Sequence, residues 1–245
     1  AVHSFTVMFF NLWNAFRKDK EDVSKFLPAP GKGGKTASSS GAEEGGKKAE
    51  EIPSEEKCRG QGSGELLIHP YDDSPLDKES VGETVYLDII NRASDYVYIF
   101  TPYLILDDFM RAAICNAAKR GVDVRIVTPG IPVKKTVFRL TRSNYGPLLR
   151  AGVKIYEYTP GFIHAKSMVS DDKCAVVGSI NLDYRSLYLH FENAVYFSGC
   201  DAVKAVKEDG ERTFADCKCI SLDDTRQSFF GRLVDAVLRV FETLV

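Results

Sequence analysis

The chain has 245 residues, 44% of them apolar, enough to core one large or two small domains. Its net charge of −2, with bases and acids interspersed, excludes the overall positive field of a general polyanion binder. No apolar run approaches the roughly 18 residues that a membrane-spanning helix needs.

Residues 1–17 place Phe5, Met8, Phe9, Leu12, Trp13 and Phe16 at three- and four-residue intervals, the stripe of an amphipathic helix that needs a partner surface. Over 27–64 the composition turns to Gly, Ser, Lys and Glu, too poor in apolar side chains to offset ordering entropy, which predicts a disordered linker. Order is expected to resume at 65 and to run to 245 as one domain. Helices are predicted near 82–94 and 107–120 and strands over 96–101 and 122–128. Gly121, after Ala-Ala-Lys-Arg, marks a helix stop with its bases in the last turn. A broken helix over 134–151 precedes strands over 153–158, at His164, at Cys174 and over 190–197. Apolar β-prone runs alternating with helices predict an α/β fold, a sheet covered by helices on both faces. The last twenty residues put Phe230, Val234, Val237, Phe241 and Leu244 on one side of a helix that closes the domain, with a membrane-surface helix as the alternative. The six cysteines are scattered, and Cys217-Lys218-Cys219 lacks a second pair or histidines at metal spacing, so free thiols are expected and no metal.

The chemistry concentrates in HAKSMVSDDKCAVVGSIN, residues 164–181. Side chains two apart on a strand share a face, so His164 and Lys166 point together, an imidazole beside a fixed cation. Such a pair is costly in a core and suits an anionic ligand that needs proton transfer and a positive clamp; phosphate fits. Ser170-Asp171-Asp172-Lys173 has turn composition, and the run from Cys174 returns as a hairpin partner. Ser179 and Asn181, again two apart, add a hydroxyl and an amide.

The spacing H-x-K-x4-D-x6-G-S-x-N resembles the HKD signature of the phospholipase D superfamily, filled by His164, Lys166, Asp171, Gly178, Ser179 and Asn181. The stretches PYDDSPLD, VYIFTPYLI, AAKRGVDVRIVTPGIP, AGVKIYEYTPGFIHAKS and INLDYRSLYLHFENAV look like the C-terminal half of a bacterial cardiolipin synthase, and SFTVMFFNLWN resembles the end of a first half, just after its own HKD copy. Val133 stands where the resemblance suggests an acid, and Asn193-Ala194 where a smaller pair is usual. The resemblance implies a phospholipase D-like α-β-α sandwich with a central mixed sheet. It implies that residues 1–26 close a missing catalytic half, and that two phosphatidylglycerols exchange through a phosphohistidine without metal or cofactor. His164, Lys166, Asp171 and Glu192 are then the catalytic set, with Lys166, Ser179 and Asn181 on the phosphate. His164 is expected to be the acid and base, and Glu192 to reach its ring and raise its pKa; Asp171 reads better as a turn carboxylate than as a proton carrier. The implied partners are a phospholipid substrate, the membrane surface, and a first HKD half or second subunit, with no nucleic acid. The implied location is the bacterial cell membrane, the catalytic domain facing the cytoplasm. The alternative is a single-motif phosphodiesterase or nuclease built as a homodimer.

Overall fold

The computed structural model describes residues 2–27, 66–77, 79–132, 134–226 and 228–240; the linker expected over 27–64 lies, apart from Leu27, outside them. The chain divides into two compact units at Arg59 and Gly60. In the first, α1 (Val2–Ala15) has no buried residue, and its stripe leaves Phe9, Leu12 and Trp13 exposed. Asn14 ends it by bonding both ways to the backbone of Glu21, at 2.9 and 2.8 Å.

The second unit is built on one mixed eight-stranded sheet. Its elements run β1 (Leu67–Asp73), α2 (Val81–Arg92), β2 (Tyr96–Phe100), α3 (Asp108–Lys119), β3 (Asp123–Pro129), α4 (Lys135–Ser143), α5 (Tyr145–Ala151), β4 (Lys154–Tyr158), β5 (Ser167–Ser170), β6 (Cys174–Gly178), α6 (Tyr184–Tyr188), β7 (Glu192–Ser198), α7 (Asp201–Ala215), β8 (Cys217–Ile220) and α8 (Phe229–Val240). The strand order is β1-β7-β6-β5-β2-β3-β4-β8, with β2, β3 and β4 parallel and the other pairs antiparallel.

The alternation of β2 explains the two covered faces. All five of its residues are buried. Val97 and Ile99 join Ile90, Met110, Ile114 and Ile126 under α2 and α3. Tyr96, Tyr98 and Phe100 face the other way, onto Val203, Val206 and Phe214 of α7. Each fully buried Val, Leu or Ile here contributes about 1.5–3 kcal/mol, so the central strands hold the fold and the edges follow. Gly210 admits this packing, because a Cβ there would stand 3.1 Å from the Phe100 ring.

Four elements lie outside the sequence expectations, the short helix α6 among them. β1 contains Pro70, which reads as a strand breaker but is tolerated on an edge. α7 carries Lys-Glu-Asp-Gly-Glu-Arg at its middle, which masks its apolar stripe. The Cys217 and Cys219 pair, weighed as a metal fragment, lies on edge strand β8, with Cys217 Sγ on the Thr213 carbonyl at 3.1 Å.

Candidate active site

His164 and Lys166 were expected on a strand; instead β5 starts at Ser167, and both lie in the extended run that feeds it. The ladder reaches them all the same, since Gly178 N–H donates to the Lys166 carbonyl at 3.1 Å. One bond further, Ser179 N–H donates to the Asn193 carbonyl at 2.8 Å, tying the exit of β6 to β7. Gly178 is required here: a Cβ would collide with Ala194 and the Asn193 carbonyl. Beyond it the chain is pinned from behind, by Tyr86 Oη on the Ile180 carbonyl at 2.9 Å and by Leu182 N–H on Thr101 Oγ1 at 3.1 Å.

The structure brings His164 and Lys166 into contact. Lys166 Nζ lies 3.1 Å from both ring nitrogens of His164 and donates to its carbonyl at 2.9 Å. An ammonium can only donate to an unprotonated ring nitrogen, so this arrangement holds a neutral imidazole. The electrostatics agree: burial, then the Lys166 charge, pushes the His164 pKa down. Phe162 and Tyr103 flank the imidazole, with ring centroids at 5.7 and 6.5 Å. Lys166 is itself pushed down by burial, against the pull of Glu192 and Asp183.

The expected contact between Glu192 and His164 is not the one that forms. The Glu192 carboxylate accepts the Ser179 hydroxyl proton and lies 3.8 Å from His190 Nδ1. The raised pKa foreseen for His164 fails with that contact, since the charge beside its ring is a cation. His190 falls at the predicted start of a strand, and the two-residue spacing that pairs His164 with Lys166 also pairs it with Glu192. Arg185 Nε donates to its Nε2 at 3.0 Å, which directs the Nδ1 proton toward Glu192.

Ser179 and Asn181 both have partners within the site. The Ser179 proton is committed to Glu192, and its Oγ accepts from Asn193 N–H at 3.0 Å. Asn181 Nδ2 donates to Ser186 Oγ at 2.8 Å, leaving its buried Oδ1 without a partner. Asp183 caps α6 through Ser186 N–H at 2.7 Å, and burial raises its pKa.

Asp171 lies just past the end of β5 opposite the His164 end, in the hairpin turn. It accepts N–H bonds from Ser94, Asp95 and Tyr96 at 2.8, 3.0 and 2.9 Å. Burial works against its charge, yet those three bonds hold its carboxyl below the usual range. Asp171 and Asp172 both have φ of 55°, the pair of left-handed residues that a tight hairpin turn needs.

Comparison with known proteins gives this geometry its setting. The family model described as "Cardiolipin synthase, PLD-like domain" matches residues 86–213, more than half of the chain. A cardiolipin synthase 2 of Bacillus anthracis is 34% identical over 70% of this chain and 34% of its own length. An uncharacterized protein of Streptococcus mutans is 42% identical over 100% of this chain and 47% of its own. The chain thus spans less than half the length of these relatives. Among solved structures, the phospholipase D family member Nuc of Salmonella typhimurium aligns over 64% of this chain and 99% of its own, with TM-score 0.55 and 18% identity. The phosphatidylserine synthase of Haemophilus influenzae aligns over 73% of this chain and 46% of its own, with TM-score 0.58 and 16% identity. These two share the fold. Sheet, motif and family model agree, and the chain belongs to the phospholipase D superfamily, in the family of cardiolipin synthase PLD-like domains.

Proposed function

We propose that this chain supplies one half of the reaction centre of a phosphatidyltransferase that converts two phosphatidylglycerols into cardiolipin and glycerol. The observation that carries the reading is Lys166 Nζ at 3.1 Å from both ring nitrogens of His164, a cation in contact with a proton carrier. The histidine of a second HKD copy attacks phosphorus, and the P–O bond to the headgroup glycerol breaks. His164 gives its proton to the departing alkoxide. The terminal hydroxyl of a second phosphatidylglycerol then displaces the phosphohistidine, and neutral His164 takes up that proton. Lys166 meets the charge that builds on the phosphoryl oxygens, with Ser179 and Asn181 framing the site.

The lowered pKa of His164 is compatible with both steps. A phosphodiester anion against Lys166 offsets the repulsion on the ring, so lipid binding raises the imidazole pKa for the acid step, and a neutral base remains after it. The test offers the protein at its native length phosphatidylglycerol and, separately, single-stranded DNA. Cardiolipin and glycerol in equal amounts with intact DNA are expected. DNA cleavage without cardiolipin would replace this reading with the single-motif nuclease.

A further inference from the structure

Tyr188 of α6 reaches two other helices at once. Its hydroxyl oxygen lies 2.7 Å from Glu83 Oε1 on α2 and 2.6 Å from Asp107 Oδ2 at the start of α3. A phenol hydroxyl carries one proton and can donate to one carboxylate. With both acids ionised, the other contact would set lone pair against lone pair at hydrogen-bond distance. A second proton removes the conflict, and the surroundings say where it sits. Asp107 is the N-cap of α3, its Oδ1 accepting Met110 N–H at 2.7 Å, a place that favours a charged carboxylate. Glu83 has no such support. Arg111 is committed to Asp108 and to the Leu106 carbonyl, both at 2.7 Å, Arg185 to His190 at 3.0 Å, and Asp73 accepts Gly82 N–H at 2.7 Å. Among the described residues no cation neutralises Glu83. Burial raises its pKa against the Tyr188 bond, with Asp107 and Asp73 adding to burial, and burial followed by the two carboxylates raises that of Tyr188.

We infer that Glu83 keeps a proton in the folded protein, and that Glu83, Tyr188 and Asp107 form a proton-held latch that seats α6 against α2 and α3. The relay runs one way: Glu83 donates to Tyr188 Oη, and Tyr188 donates to Asp107. What it seats belongs to the site. Ser186 of α6 receives the Asn181 amide at 2.8 Å, and Arg185 donates to His190 at 3.0 Å, so the three latch residues are positioning residues for two of the site's side chains. Loss of the Glu83 proton leaves two charged carboxylates on one hydroxyl, which loosens α6. The latch works in the same way whichever phosphodiester the site takes.

The experiment is a carboxyl-carbon NMR titration of the full 245-residue chain labelled on glutamate, followed by urea melts of wild type and Glu83→Gln from pH 4.5 upward. The Glu83 carbon should titrate with a midpoint above the ordinary 4.5. Glutamine at this position keeps a donor for Tyr188 at every pH. A folded pKa above the unfolded one gives stability that is full below 4.5 and is lost as pH rises through the folded value. The urea midpoint of wild type should therefore fall relative to that of Glu83→Gln as pH rises, and level off beyond the NMR midpoint. Over the same window the amides of Leu187 and Leu189, bonded to the Asp183 and Arg185 carbonyls, should lose about tenfold in exchange protection in wild type and keep it in Glu83→Gln. A side chain that merely packed would show no such window. A Glu83 midpoint at or below 4.5 would overturn the inference, and because it is read on wild type alone, a variant that failed to fold would not shield it. So would a wild-type urea midpoint that holds or gains on that of Glu83→Gln as pH rises, or α6 protection that stays level while Glu83 titrates.

Discussion

Burial first and Lys166 second lower the pKa of His164, and the share of Lys166 can be measured directly. Folded His164 has its pKa below the ordinary 6.5, so it is neutral over a wider range than a free imidazole. Replacing Lys166 by Met removes the nearby cation and leaves the burial, so the His164 pKa should rise part of the way back. An NMR titration of the imidazole would show it; an unchanged midpoint would deny the contact its role. Inorganic phosphate at saturating concentration should raise the wild-type midpoint and leave that of Lys166→Met in place. At this scale the sequence showed which side chains share a face and not which partners they take. Period two paired His164 with Lys166 correctly, but it could not tell that Glu192 would close on Ser179 and face His190. Asp171 was legible as a turn residue because Ser-Asp-Asp-Lys is turn chemistry. Its three bonds to residues 94–96 are long-range, and no local pattern reports them.

The hairpin of β5 and β6 carries the motif, and two substitutions test how it is held. Asp171→Asn keeps a side chain tolerant of positive φ but removes the charge that three N–H groups share, and should cost about 2 kcal/mol at pH 7. The folded pKa lies below the unfolded 3.8, so the stabilisation is full above that value and is lost as pH falls through the folded one. Urea melts of wild type and variant should therefore converge as the pH falls through the folded pKa of Asp171. A difference that persisted there would place the effect in the turn geometry. Gly178→Ala forces a Cβ into Ala194 and should cost about 2 kcal/mol or more, parting β6 from β7 next to the site. Amide exchange of Val177 and Val195, paired across these strands, should quicken. The central elements were readable because β2 is a continuous apolar run and β3 a β-prone run that opens with polar residues alternating with apolar ones, each following a helical pattern. β1, α6, α7 and β8 were not, because an edge strand with a proline, a five-residue helix, a helix with a charged middle and a four-residue strand owe their form to neighbours rather than to their own pattern.

These 245 residues hold one HKD copy on a sheet whose faces are both occupied, with no described helix long and apolar enough to cross a membrane. In the proposed reaction one copy supplies one of two imidazoles, so the 245-residue chain as a monomer should give no cardiolipin unless a second HKD copy is supplied. A chain that dimerises and gains activity would show that two copies of His164 suffice. The most direct measurement compares cardiolipin formed from radiolabelled phosphatidylglycerol by the native-length protein, wild type against His164→Ala, with both melts recorded. His164→Ala should fold as wild type does and lose about 10²–10⁴-fold in rate. Cardiolipin formed by His164→Ala at the wild-type rate would contradict a reaction centre at His164 and Lys166.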